Sequence, residues 1–166
     1  KCAAASIGAT DLDNLPTRHA GRGGLGAVMG AKGIKAVVVV DQGTKSVEPG
    51  DRATFVKCNK MWAKAVMDDP ATGQGMPAFG SSVAITIMNK EGALPTRNFR
   101  AGEFESANDV SGKAMRAMIK ARGAKMTEPC SPGCVVRCHR GYLGPKGQNW
   151  GKAPEYETLW AFGANL

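Results

Sequence analysis

The sequence predicts an α+β protein in which a short β-containing part precedes a mostly helical part. The β signal is the run Ile-Lys-Ala-Val-Val-Val-Val at 34–40, because β-branched residues favour strands and an apolar run is typical of a buried one. The helical signal is a series of later segments with apolar spacing, each bounded by a capping residue or a glycine. Residues 45–50 have the composition of a linker, so we place the boundary between the two parts there.

Four helices are predicted after this boundary. Asp51 is a favoured N-cap residue, and Pro70 is expected to stop the helix that begins there. Gly92 and Gly123 are expected to end the second and third helices. Residues 141–153 are rich in glycine and proline and are expected to be irregular. The predicted helices are 51–69, with an apolar stripe at Phe55, Trp62 and Val66, then 81–90, 111–123 and 155–166.

The composition argues against several classes of function. The net charge of +8 indicates an anionic partner, but only 6% of the residues are aromatic and none is interleaved with a basic run. We therefore expect no nucleic-acid partner. The apolar runs are all shorter than the ~20 residues that a spanning helix needs, so we also expect no membrane partner. Cysteines clustered at metal-site spacing suit a reducing cytoplasm better than a disulfide framework.

The strongest chemical signal is the cysteine loop, Cys130-Ser-Pro-Gly-Cys134-Val-Val-Arg-Cys138. Its Pro-Gly turn can fold the first two thiols toward one centre, which favours a metal or iron–sulfur site. Three thiols are one ligand short of a closed four-ligand set. The fourth ligand is either His139, which would make a zinc site, or a residue outside this sequence.

The second signal is the glycine segment, residues 19–35. Three of its glycines match G-x-G-x-x-G, but dinucleotide binding needs a strand before the motif and a long helix after it. Here Gly30 and Gly33 are expected to break the helix, and a strand is expected to follow. Lys32 is followed by glycine rather than Ser or Thr, which argues against a P-loop. We favour an anion cradle of backbone N–H groups assisted by Arg18 and Arg22, with a plain packing turn as the alternative.

Four stretches, in order along the chain, together resemble the aldehyde ferredoxin oxidoreductase family. The resemblance implies an internal fragment of a longer enzyme with a tungsten or molybdenum bis-pterin cofactor and a [4Fe-4S] cluster. Residues 1–47 would end a β-rich pterin-binding N-terminal domain, and 48–166 would begin a helical middle domain that carries the cluster-ligand loop. The stretches are the glycine segment at 20–36, Leu94-Pro-Thr-Arg-Asn-Phe99, the cysteine loop, and 154–166, which begins Pro-Glu-Tyr-Glu.

The resemblance also implies roles for individual residues. Cys130, Cys134 and Cys138 correspond to three cluster ligands, although the common family spacing is one residue shorter before Cys134. Glu157 corresponds to a carboxylate that acts beside the metal, and Tyr156 lines the same pocket. One further segment corresponds to contacts with the pterin phosphates and to a backbone carbonyl that helps hold a Mg²⁺ ion bridging them. It comprises Arg18, His19, Ala20, Gly21, Arg22, Gly23 and Gly24.

The implied activity is oxidation of an aldehyde to a carboxylic acid, with electrons leaving to ferredoxin or another electron-transfer protein. The fragment alone is expected to be inactive, and a homodimer is left open. One alternative is a reductase of the same superfamily acting on another substrate, such as an aromatic thioester. Another is a zinc-stabilised basic binding module without a redox role. The third predicted helix carries four basic residues, which form either a solvated face or a docking surface for acidic ferredoxin. They are Lys113, Arg116, Lys120 and Arg122.

Overall fold

The computed structural model describes residues 2–11, 13–40 and 42–166, and it combines helices with two small antiparallel sheets. This mixture is what the predicted α+β class requires. The chain divides into two compact units, Lys1–Lys60 and Met61–Leu166. The boundary near residues 45–50 stays a prediction.

The first unit contains one small sheet. Strand β1 (Ile7–Ala9) pairs antiparallel with β2 (Arg18–Ala20), and Gly8 lies opposite His19. Asp11 shapes the connection between the strands, because its Oδ1 accepts the backbone N–H of Leu15 at 3.0 Å. Strand β2 ends at Ala20, so the glycine-rich loop begins directly after this sheet.

A seven-residue helix, α1 (Leu25–Ala31), follows the glycine loop, so Gly30 does not break the helix, whereas Gly33 ends it as the sequence predicts. Gly30 lies inside α1, and Gly33 ends it with φ of 70° and an N–H donated to the Gly30 carbonyl at 3.1 Å. Gly26 is required for another reason. A Cβ there would lie less than 3.0 Å from the Ala5 carbonyl, a separation that real Cβ atoms essentially never show. Close backbone packing outweighs the low helix propensity of glycine.

Replacing Gly26 with alanine is expected to destabilise the protein by about 1–3 kcal/mol, because the Ala5 backbone cannot yield as a side-chain tip would. Gly30→Ala in the same helix is the matched control, since a Cβ at that position has no neighbour within 4 Å. The control is expected to be neutral or stabilising by up to about 1 kcal/mol. Urea melts of both variants measure the difference. Equal stabilities would contradict the packing described here.

Residues 34–40 do not form the predicted buried strand. The side chains of Val38 and Val39 are each 83% exposed. A strand needs a neighbour that accepts and donates its backbone hydrogen bonds, and within the described ranges the strands pair only with each other in the two small sheets. The strand prediction is wrong because composition reports propensity and not the presence of a partner. The turn predicted after the run includes Asp41, which lies outside the described residues, and Gly43 there has φ of 78°.

Helix α2 (Arg52–Asp68) begins and ends as the sequence predicts. Asp51 accepts the N–H of Thr54 through its Oδ1 at 3.0 Å, and hydrogen bonding from Thr54 holds the pKa of Asp51 below its usual value. Two of the three residues of the predicted apolar stripe are exposed, Phe55 at 51% and Trp62 at 71%, whereas Val66 is half-buried. No helix within the described residues has the length and apolar character to cross a bilayer.

The second unit is built from short helices and one hairpin. Ser111 caps helix α5 (Gly112–Ala121) by accepting the N–H of Ala114 at 3.3 Å. Gly92 and Gly123 end helix α4 (Val83–Lys90) and α5 with φ of 66° and 69°, as the sequence predicts. The hairpin falls in the stretch predicted to be irregular. The elements are a π-helical turn Pro70–Gly75, α3 (Met76–Phe79), a 3₁₀ turn Gly80–Ser82, α4 (Val83–Lys90), α5 (Gly112–Ala121), β3 (Gly141–Leu143), β4 (Asn149–Lys152), α6 (Tyr156–Leu159) and a π-helical turn Trp160–Ala164.

The core of this unit consists of two adjoining clusters. One is centred on Ile85 and Leu94, and the other on Met115 and Ile119; Leu159 of α6 packs against both. Because the same side chain completes both clusters, burial of apolar surface fixes α6 against α4 and α5. The segment predicted to carry Tyr156 and Glu157 is thereby held on a packed scaffold.

Truncating Ile85 to alanine is expected to cost about 2–5 kcal/mol, since its side chain is 0% exposed and would leave a cavity. Ile87, two residues along α4 and 49% exposed, is the matched control, for which Ile87→Ala should cost at most about 1 kcal/mol. Chemical denaturation of the two variants measures both values. A smaller loss at Ile85 than at Ile87 would rule out the assigned core.

Candidate functional site

The cysteine loop is closed at its base by backbone hydrogen bonds. Glu128 donates its N–H to the His139 carbonyl at 2.7 Å, and His139 donates back to Glu128 at 3.3 Å. Between these residues Gly133 and Arg137 adopt φ of 78° and 51°, which reverses the chain twice. The loop therefore returns on itself and keeps Cys130 and Cys138 near a common base.

The three thiols of the loop act on one another electrostatically. Backbone hydrogen bonding from Arg137 lowers the pKa of the Cys134 thiol, and the Cys130 thiol also bonds to it. Burial raises the pKa of Cys138, and the charges of Cys130 and Cys134 raise it further. Among the residues that the structure describes, no group of three or more His, Cys, Asp or Glu side chains is gathered closely enough to hold a metal ion, and this includes the three cysteines of the loop. The loop thus offers three sulfur donors that influence one another's pKa but are not assembled as a ligand set.

A buried ion pair supports the base of the loop. Glu128, only 7% exposed, accepts a bond from Lys152 Nζ at 2.8 Å and pairs with Lys125 Nζ at 3.0 Å. Burial raises the pKa of Glu128, but the hydrogen bonds from both lysines outweigh it and leave the pKa below the usual value. The carboxylate consequently stays ionised and fixes strand β4 to the start of the loop.

The end of the loop is tied to the segment that carries Tyr156 and Glu157. His139 is buried, and its Nε2 lies 2.6 Å from Oε1 of Glu155, the N-cap residue of α6. Arg140 accepts the N–H of Ala153 at 2.9 Å through its backbone carbonyl. These bonds join the last residues of the cysteine loop to the start of α6.

Tyr156 and Glu157 occupy the first turn of α6 and differ in environment. Tyr156 is half-buried against the Ile85 cluster, and its N–H donates to Ser81 Oγ at 3.0 Å. Burial raises the pKa of the Tyr156 hydroxyl, and the Glu157 carboxylate raises it further. Glu157 is exposed. The pair therefore places a phenol that is held in its protonated form beside an exposed carboxyl side chain.

The Leu94–Phe99 motif holds the other end of this helical segment. Arg97, Asn98 and Phe99 all have positive φ, between 49° and 63°, which is uncommon for non-glycine residues. In that conformation the N–H of Arg97 reaches the Ala164 carbonyl at 2.8 Å and the N–H of Asn98 reaches the Asn165 carbonyl at 2.9 Å. The motif thus satisfies the carbonyls at the C-terminal end of the turn that follows α6.

The glycine segment of the first unit has an open backbone face. Gly23 and Gly24 adopt φ of 75° and 69°, and no atom lies within 4 Å of a Cβ built on either residue or on Gly21. Arg22 is exposed, and Arg18 is half-buried in β2. The ring of His19 is engaged, with Nδ1 at 3.1 Å from Ser6 Oγ. Open glycine backbone beside arginine is the arrangement that an anion cradle needs.

The basic residues of α5, which is the third of the helices predicted from the sequence, are not all solvated. Lys113 and Lys120 are exposed. Arg116 donates to the Ala78 carbonyl at 3.0 Å, and Arg122 donates to the Leu143 carbonyl at 2.9 Å while lying 5.3 Å from the Tyr142 ring centroid. Both arginines therefore contribute packing as well as charge.

Arg140 is a notable residue that sequence reasoning missed. It is only 3% exposed, and its guanidinium contacts Ser82 Oγ at 3.5 Å. Its Nε and Nη1 atoms are buried and, within the described part of the chain, have no hydrogen-bond partner. The only available signal was its position two residues after Cys138, because nothing in an arginine's sequence context reports burial.

Two family profiles match the chain. The profile described as "Aldehyde ferredoxin oxidoreductase, N-terminal domain" matches residues 1–41. The profile described as "Aldehyde ferredoxin oxidoreductase, domains 2 & 3" matches residues 57–166, which include the cysteine loop and α6. The matches follow one another along the chain in the order that the four sequence stretches predict.

Individual relatives agree with the profiles. Proteins named tungsten-containing aldehyde ferredoxin oxidoreductase from Pyrococcus abyssi, Thermococcus kodakarensis and Pyrococcus furiosus are 44%, 41% and 39% identical over 150 residues. Each alignment covers 90% of this chain but 23% of the relative, so the chain spans about a quarter of their length. With profile matches over both units and identities of this size, the chain belongs to the aldehyde ferredoxin oxidoreductase family.

Proposed function

We propose that this chain is part of an oxidoreductase that converts an aldehyde to a carboxylic acid at a tungsten or molybdenum bis-pterin centre. Electrons would leave through a [4Fe-4S] cluster to ferredoxin or a similar carrier. The observation that carries the proposal is the loop of three interacting thiols, joined through His139 and Glu155 to the helix that bears Tyr156 and Glu157. The relatives named for this activity support the same class of substrate and metal.

The cysteine loop fits a thiolate-bound cluster by the chemistry of its donors. Cys130, Cys134 and Cys138 would supply three ligands, and the fourth would come from outside this sequence. Backbone N–H groups that bond to a thiolate sulfur stabilise its charge, as Arg137 does for Cys134. The zinc alternative would use His139, whose Nε2 contacts the Glu155 carboxylate and leaves Nδ1 as the possible donor. We favour the cluster because the matched family profile covers the cysteine loop.

The residues of α6 would handle the protons of the reaction. An aldehyde and water give a carboxylic acid with release of two electrons and two protons, and the bound bis-pterin centre would supply the electron acceptance. Glu157 would take a proton, because it is an accessible carboxylate. Tyr156 would keep its own proton, since burial and Glu157 raise its pKa, and it would donate a hydrogen bond to the substrate oxygen.

The glycine segment would hold the pterin phosphates. The open backbone of Gly21, Gly23 and Gly24 leaves room for an anion, and Arg18 and Arg22 would add charge. The contacts would extend through His19 and Ala20, and a backbone carbonyl of this stretch would help to hold a Mg²⁺ ion. In this proposal residues 1–47 form the pterin-binding part and 48–166 the cluster-binding part.

Anaerobic assay of the protein that carries this sequence tests the proposal. Reduction of a viologen dye or ferredoxin that depends on added aldehyde, with the acid formed in a ratio of one acid per two electrons, is the expected result. Reduction of an aromatic thioester with no aldehyde turnover would instead select the alternative reductase. If the protein turns over neither the aldehyde nor the thioester, the assigned chemistry is wrong.

A further inference from the structure

Helix α6 is capped from another part of the chain. Within the described residues its N-cap residue, Glu155, makes no side-chain capping bond to the helix, and its Oε1 instead lies 2.6 Å from His139 Nε2. The N–H of Tyr156, one of the groups at a helix start that have no partner within the helix, donates to Ser81 Oγ at 3.0 Å. Ser81 lies 75 residues earlier, so a tertiary contact replaces the usual local cap.

The 3₁₀ turn that carries Ser81 is enclosed on two sides. Gly80 has φ of 62°, a conformation that favours glycine, and a Cβ there would lie 2.7 Å from Cζ of the buried Arg140 side chain. On the α5 side, a Cβ on Gly112 would lie 3.1 Å from Oγ of Ser82, which is 0% exposed. Because these neighbours leave the turn little room to move, it presents the Ser81 hydroxyl from a fixed place.

The element that follows the turn also supports the side chain of Tyr156. Helix α4 begins directly after the turn and carries Ile85, and Tyr156 packs against the cluster that Ile85 centres. Ser81 therefore holds the backbone of Tyr156, while α4 holds its ring. Glu157 is exposed and follows Tyr156 in the same helical turn, so its position depends on how the backbone of Tyr156 is fixed.

We propose that Ser81 is a positioning residue for the reaction, and that it sets the places of the Tyr156 hydroxyl and the Glu157 carboxylate through the Tyr156 backbone. This inference rests on the proposed function, in which Glu157 takes a proton and Tyr156 donates a hydrogen bond to the substrate oxygen. Proton transfer requires groups held within hydrogen-bond reach, and a displacement of about 1 Å can cost about 10²-fold in rate. Ser81 itself touches no substrate.

Two measurements on the anaerobically purified holoenzyme test the proposal. Ser81→Ala removes the acceptor, so the backbone N–H of Tyr156 should exchange with solvent deuterium about fivefold faster. At saturating aldehyde, kcat per bound tungsten or molybdenum atom should fall about tenfold, while KM changes by less than about threefold. Ser81→Thr keeps the hydroxyl and should restore both values. Thr86→Val is the control, because the half-buried Thr86 hydroxyl bonds within α4, to the Val83 carbonyl at 3.2 Å.

A double variant shows whether Ser81 acts through Glu157. If it does, Ser81→Ala should lower kcat by less than about threefold when Glu157→Gln is already present, because the effects of residues that act as a unit are not additive. The same tenfold loss in both backgrounds would overturn the inference, as would equal losses in Ser81→Ala and Thr86→Val.

The remaining outcomes separate the inference from the proposed function. An unchanged exchange rate in Ser81→Ala would show that the bond to Tyr156 does not hold the helix, and the inference would fail. Faster exchange with an unchanged kcat would make Ser81 a purely structural cap and would also overturn it. Wild-type protein that oxidises no aldehyde would defeat the proposed function itself, whatever the exchange rates are.

Discussion

Replacing Cys134 with serine is expected to abolish cluster binding and aldehyde oxidation together. Backbone hydrogen bonding, mainly from Arg137, lowers the pKa of the Cys134 thiol. The hydroxyl of serine is a poor substitute for a thiolate ligand. The iron content should fall from about four atoms per copy of the protein to a small residual amount. Iron analysis and the visible absorption of the anaerobic protein measure the loss.

Cys58→Ser is the matched control for this experiment. Cys58 is an exposed free cysteine on α2, and it is neither a proposed ligand nor part of the core. The control should retain its iron and its activity. Full iron content in Cys134→Ser, or equal losses in both variants, would be incompatible with the assigned cluster loop. The same measurement on Cys130→Ser tests the ligand whose spacing departs from the family pattern.

Glu157→Gln is expected to lower kcat by about 10²–10⁴-fold while leaving the iron and tungsten contents unchanged. The amide keeps the size of the side chain but cannot accept the proton that aldehyde oxidation releases. Because Glu157 is exposed and outside the core, its replacement should not affect the melting temperature. Steady-state kinetics at saturating aldehyde, paired with metal analysis, measure both parts of the expectation.

The control for this variant is Glu103→Gln, which removes another exposed carboxylate distant in sequence from α6. We expect wild-type kinetics for the control. A Glu157→Gln enzyme within about threefold of the wild type would exclude this residue as the base. Tyr156→Phe, which removes only the hydroxyl, should reduce kcat less than Glu157→Gln because it affects a hydrogen bond rather than a proton transfer.

Short-range signals predicted α2, α4 and α5, but they missed α1 and made α6 longer than its four residues. Asp51 and Ser111 cap helices, and Gly92 and Gly123 end them, because each acts through bonds within one helical turn. The Val37–Val40 run gave the wrong prediction for the opposite reason. Strand formation depends on a partner distant in sequence, and the run itself carries no information about that partner.

The candidate site was predictable in its residue types but not in its supporting contacts. The spacing of the three cysteines and the Pro-Glu-Tyr-Glu motif could be read directly from the sequence. The link from His139 to Glu155 and the burial of Arg140 could not, because both depend on how the hairpin β3–β4 returns the chain. That hairpin was missed since its strands are only three and four residues long, although Pro145 and Gly147 mark its turn.

The most direct test of the central claim is the metal content of the anaerobically purified protein, with tungsten, molybdenum, iron and zinc determined on the same sample. The proposed function predicts about four iron atoms with one tungsten or molybdenum atom per copy of the protein that carries this sequence. One zinc atom per chain with no iron, tungsten or molybdenum would contradict it. The cysteine loop would then be a zinc-binding structural element and the glycine segment a plain anion-binding turn.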